Sequence, residues 1–142
     1  MPVPVKGPIQ FVPPGGVYLT VDDITDPGGD PVEVIDVDLG FTVSGTVVLP
    51  NWLAGTGTVC IYADEQGGPI DMALDPCFTL TIVSEKAEPK AKVYPWKIDF
   101  PGTVLPDPHP GSQIYRLLAK FMYEDQATDI AGFVVMGDYL IN

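Results

Sequence analysis

Apolar and polar residues alternate with a period of two through most of this chain. The clearest run is Gly40 to Leu49, where Phe41, Val43, Gly45, Val47 and Leu49 take one parity and Thr42, Ser44 and Thr46 the other. That is the pattern of a half-buried β-strand. Val93 to Phe100 repeats it with Tyr94, Trp96, Ile98 and Phe100 around Lys97 and Asp99. Pro95 inside that run marks an edge strand, since proline has no N–H to give to a ladder. Shorter runs at Val17–Val21, Val32–Asp38, Thr58–Ala63 and Cys77–Val83 are rich in β-branched and aromatic residues. In Val32–Asp38 the off-phase Ile35 suggests a bulge.

The last third of the chain closes the pattern. From Tyr115, the residues Tyr115, Leu117, Ala119, Phe121 and Tyr123 alternate with Arg116 and Lys120. A helical period also fits, through Ile114, Leu117, Leu118, Phe121 and Met122. The tyrosines and the β-rich run that follows favour a strand. In that following run Phe133 and Val135, with Tyr139 and Ile141, are expected to face one way, and Gly137-Asp138 to form a bulge or bend. Pro110-Gly111 ahead of Tyr115 resembles the tyrosine corner of Greek-key sandwiches, in which a tyrosine hydroxyl bonds back to the connecting loop.

Turn signals separate these runs: Pro27-Gly28-Gly29-Asp30, the 50–57 loop, Gly67-Gly68-Pro69, the polar 84–92 stretch and the proline-rich 101–113 loop. Eight or nine strands at such spacing predict an all-β protein: an antiparallel β-sandwich of immunoglobulin-like or fibronectin-like Greek-key type. Residues 1–16 form an extended proline-rich N-terminal arm, and 17–142 a single sandwich domain. Prolines 2, 4, 8, 13 and 14 exclude a helix from the arm.

Composition narrows the function. Hydrophobic residues make 46% of the chain and charged ones 18%, which excludes a disordered polymer. Net charge is −12, which repels phosphate backbones, so nucleic acid is not an expected partner. Residues 1–84 hold Lys6 as their one basic residue against 11 acids, whereas 85–142 hold 6 basic residues and 8 acids. Such asymmetry suits orientation on a partner or on another copy. No run of about 18 apolar residues exists to insert in a membrane. The N-terminus lacks the continuous apolar core of a signal peptide, so a cytoplasmic protein is expected, with incorporation into a particle as an option.

Candidate chemistry is sparse. Asp22, Asp23, Asp26 and Asp30 form the densest acidic cluster and are the candidate metal ligands, calcium being the ion that takes many carboxylate oxygens. Their alternative role is turn formation. Cys60 and Cys77 flank the 64–76 loop and are the candidate disulfide; with no signal peptide, two reduced thiols are favoured. His109, the one histidine, has no nucleophile motif beside it. No cofactor motif is present. The chain therefore predicts a non-enzymatic structural or protein–protein interaction module, an accessory subunit of a larger assembly. Candidate partner contacts are Val3, Val5 and Phe11 of the arm and Trp52 in its loop. The alternative is a module that binds carbohydrate or calcium through its loops.

Overall fold

The computed structural model describes residues 5–6, 18–32, 34–36, 38–67, 71–85, 88, 90–105, 113–123 and 131–141. Most of them lie in strands: β1 (Val5–Lys6), β2 (Tyr18–Thr25), β3 (Val34–Ile35), β4 (Phe41–Pro50), β5 (Gly55–Glu65), β6 (Asp71–Ala73), β7 (Phe78–Ile82), β8 (Ala91–Phe100), β9 (Gln113–Tyr123) and β10 (Ala131–Ile141). The stretch with two competing periods is thus a strand, β9. Among the described residues the sole helical piece is a 3-10 turn, Gly102–Val104.

The strands form two sheets. One has the order β1-β2-β4-β8. The other runs β3-β10-β9-β5-β6, with β7 pairing a second stretch of β5. The prediction of an antiparallel sandwich needs one correction. β3 pairs with β10 in parallel, through Val34↔Leu140 and Ile35↔Ile141. Of the described residues in the expected 32–38 strand, two, Val34 and Ile35, enter a ladder, and Asp36 turns the chain after them: its carboxylate accepts from Asp38 N at 2.8 Å and its carbonyl accepts from Gly40 N. The off-phase Ile35 is the inward residue, fully buried, while Val34 faces out.

One apolar cluster fills the space between the sheets. β4 and β8 contribute Phe41, Val43, Val47, Leu49, Tyr94, Trp96, Ile98 and Phe100, the parity read from the sequence. Facing them are Val59 and Ile61 of β5 and Tyr115, Leu117 and Phe121 of β9. Two bulges reset the alternation. On β2 the register shifts between Val21 and Asp23, so Leu19 and Val21 point inward before it and Ile24 after it. On β10 it shifts between Val135 and Gly137, the latter at φ 134° where a side chain would be strained.

The β10 bulge corrects the expected facing of the last strand. Val134, Met136 and Tyr139 are the buried residues, and Phe133 and Val135 point outward. Both parities of Phe133-Val134-Val135-Met136 are apolar, so periodicity alone could not choose between them.

Polar groups tie the layers' ends. The Tyr123 hydroxyl donates to the Ala54 carbonyl. The Tyr115 hydroxyl donates to Glu65 Oε2 at 3.3 Å, a carboxylate on β5 and not a loop carbonyl as the corner resemblance implied. Asn51, 1% exposed, anchors the crossing from β7 in one sheet to β8 in the other. Its amide donates to Glu88 O (3.0 Å) and accepts from Lys90 N (3.1 Å), while its backbone carbonyl accepts from Glu85 N.

Candidate interaction face

The described site residues lie on the outer faces of the two sheets and in the turns at their ends. On the four-stranded sheet, the register sets Asp23 beside Ser44 and Lys97, and Thr25 beside Thr42 and Asp99. With the 26–30 turn and Leu39 they line an open basin of about 580 Å³. Thr42 Oγ1 donates to Asp99 Oδ1 at 2.6 Å, and the Thr20 and Thr46 hydroxyls share a hydrogen bond of 2.7 Å. Asp23 Oδ1 is buried with no hydrogen-bond partner among the described residues.

The four aspartates expected as metal ligands take separate roles here. Asp26 Oδ1 accepts from Gly28 N (2.9 Å) and Asp30 N (3.0 Å), so it shapes the turn. Asp22 accepts from the Thr20 hydroxyl at 3.3 Å. Among the described residues no three carboxylates, cysteines or histidines gather where a metal ion would sit.

The six-stranded sheet presents a different surface. Along β9, Ile114, Arg116, Leu118, Lys120 and Met122 point outward, opposite in parity to the buried tyrosines. Register brings Val135 of β10 and Tyr62 of β5 beside Leu118, Phe133 and Cys60 beside Lys120, and Leu140 beside Ile114. Val34 of β3 extends the last row. Phe133 is 45% exposed, Val135 44% and Ile114 46%. Five of the nine exposed large hydrophobic residues thus lie on three adjacent strands of one face. Scattered exposed apolar residues mean little, but a contiguous patch marks a contact site.

Charges on this face are matched. Arg116 Nε donates to Asp138 Oδ1 at 2.9 Å, and both side chains are nearly half exposed. The bond to Asp138 and the Asp138 and Asp64 charges raise the guanidinium pKa further above its ordinary value. Lys120 Nζ stands 5.9 Å over the Tyr62 ring.

Cys60 and Cys77 are joined in a disulfide, with Cα atoms 4.6 Å apart. The sequence argument favoured reduced thiols because it weighed compartment alone. Register is what brings the two together: Val59 pairs with Phe78, so the next residue along β5 meets the one preceding β7. The bridge lies on the outer side of the six-stranded sheet, beside Lys120.

Of the expected partner contacts, Trp52 is 54% exposed in the turn after β4. Val5 lies in β1, paired with Val21 at the margin of the four-stranded sheet. Val3, Phe11 and His109 lie outside the described residues. The apolar face was not legible because both parities of the Phe133–Met136 run are apolar, so spacing alone does not say which side turns outward. No described helix is long and apolar enough to cross a membrane. Compared with known proteins, the chain matches no family model, no curated protein and no solved structure.

Proposed function

We propose that this protein is a non-enzymatic interaction module, a structural or accessory subunit of a larger assembly, and that its contact surface is the outer face of the six-stranded sheet. The observation that carries this is the pair of apolar groups on that face, Val34, Leu140 and Ile114 on one side and Val135, Leu118 and Phe133 on the other, flanking the Arg116–Asp138 ion pair. Each such side chain, somewhat under half exposed, leaves less than half of the about 1.5–3 kcal/mol of full burial for a partner to recover. The strand order supports the type of module: β2-β4-β8 facing β7-β5-β9-β10 follows an immunoglobulin-like Greek key. Residues 1–16 are its arm and 17–142 its single domain. A photoreactive phenylalanine analogue at Phe133 tests the surface in native cells. Crosslinked adducts there, and none from the same probe at Val93 on the opposite face, are expected; no adduct at Phe133 refutes the reading.

A second reading is carried by the basin on the four-stranded sheet. Thr25, Thr42 and Ser44 hydroxyls with Asp23, Asp99 and Lys97 suit a polyol such as a carbohydrate. A thermal shift with a glycan panel, lost in Asp99→Ala, is the expected result. A flat response across the panel removes it.

A further inference from the structure

We infer that the occupant of the apolar face is a second copy of this chain, set about a two-fold axis that runs parallel to the strands between β9 and β10. The inference rests on the reading of that face as a contact surface and adds the partner and its geometry.

The argument starts from the ladder. On the outer face, β9 and β10 pair Arg116 with Asp138, Leu118 with Val135, Ile114 with Leu140 and Lys120 with Phe133. Every one of these pairs is complementary: cation with carboxylate, apolar with apolar, and a lysine with an aromatic ring. A two-fold axis lying in the contact plane between the two strands exchanges them. It sets β9 of one copy over β10 of the other, row by row. Arg116 then meets Asp138 of the other copy, Leu118 meets Val135 and Ile114 meets Leu140. Complementarity within the hairpin thereby becomes self-complementarity across the contact, which is what an isologous interface needs. An axis along β9 itself would stack Lys120 on Lys120. One perpendicular to the strands through Leu118 would stack Lys120 on Arg116.

Charge selects the same face. Each copy carries −12, so two copies repel on approach. The three central strands of this face turn outward Arg116 and Lys120 against Asp138 and Asp64, and these cancel. On the other face the described basin sets Asp23 and Asp99 with the neighbouring Asp26 against Lys97.

Size places the contact at the small end. β5, β9 and β10 each have 11 residues, and β3 beside them has 2. At ~3.3 Å per residue and ~4.8 Å between strands they give roughly 550 Å² per copy. Stable interfaces bury from about 600 Å² per partner, centred on about 800 Å². Two flat sheets stacked at about 10 Å is also the packing the sandwich uses inside itself.

Reciprocal charge reversal tests the geometry. Arg116→Asp leaves two carboxylates facing two in the self-pair, and Asp138→Arg leaves two cations facing two. Each variant alone is expected to weaken self-association on the order of 100-fold by sedimentation. An equimolar mixture of the two restores a wild-type-like dimer, because the carboxylates of one variant then meet the guanidinium groups of the other in both rows. The restoration also excludes misfolding as the cause of the single losses. A mixture that stays monomeric while the wild type dimerises overturns the axis, and a wild type that is monomeric at every concentration overturns the second copy. The Phe133 probe separates this from the underlying reading. An adduct with the mass of two chains supports the dimer. An adduct with a different protein and none with the chain itself overturns the dimer but keeps the contact surface. No adduct removes both.

Discussion

The two sheets solve the same packing problem inside and part ways outside. The four-stranded sheet shows water a ladder of hydroxyls and carboxylates, Thr20–Thr46, Ser44 and Thr42–Asp99. Its strands approach closely at Gly45, where an added Cβ would run into the Thr20 carbonyl and the Trp96 ring. The six-stranded sheet shows water an aliphatic and aromatic surface with balanced charge, and a covalent bridge clips β5 to the start of β7. Hydroxyls on an outer face satisfy that face with solvent alone. Phe133 and Val135 do not, so the contrast is between an outer face of mainly polar rows and one whose apolar rows stay partly exposed.

The sharpest way to break the comparison is at the points that hold each sheet. Gly45→Val should cost more than about 3 kcal/mol in chemical denaturation, because the obstacle is backbone and cannot rotate away. If it is tolerated, the close approach does not hold the four-stranded sheet. On the other sheet, replacing Cys60 and Cys77 by alanine should cost about 3 kcal/mol, from a covalent loop with a sequence separation of 17. The matched measurement is the wild-type midpoint with and without reductant. Asn51→Ala removes the two hydrogen bonds of a buried side chain to the exposed Glu88 and Lys90 backbone at the crossing and should cost about 1–2 kcal/mol.

Smaller effects sharpen the contrast between the outer faces. Val135→Lys should change stability by less than about 0.5 kcal/mol yet abolish self-association in light scattering. Val93→Lys, equally exposed but on the four-stranded sheet, should change neither. Smallest is an alkaline effect confined to β9 and β10. Burial raises the pKa of Tyr115, with the Glu65 charge and hydrogen bond adding to it, and burial raises that of Tyr139. The fold holds both phenol protons more tightly than the unfolded chain does. Their stabilisation is complete below the ordinary tyrosine value of about 10 and is lost as pH climbs through the raised folded values. Tyr139→Phe should flatten the fall in the denaturation midpoint above that pH; an unchanged slope would show that burial does not act there.

Much of the all-β architecture was legible from the chain because β4 and β8 bury one face and wet the other. Phe41 to Leu49 and Tyr94 to Phe100 then carry their orientation in their spelling. Pro95 likewise marked β8 as the last strand of its sheet, and there it stands. β10 was not legible in the same way. Its apolar residues occupy both parities, and the extra residue at Met136 inverts the phase before Tyr139. The same ambiguity hid the contact face, since Phe133 outside and Phe133 inside look alike in a sequence. The disulfide depended on register between β5 and β7, which spacing alone does not fix. Asn51 carried no signal at all, being a polar residue in a turn until Glu88 and Lys90 are brought to it.

Pro95 has a consequence at the scale of many molecules. It sits midway along a margin whose neighbours Lys92 and Lys97 are charged, and that margin offers a broken row of donors to any incoming chain. Strand-by-strand growth from that side is thereby disfavoured, so this margin guards the sheet against open-ended ribbons.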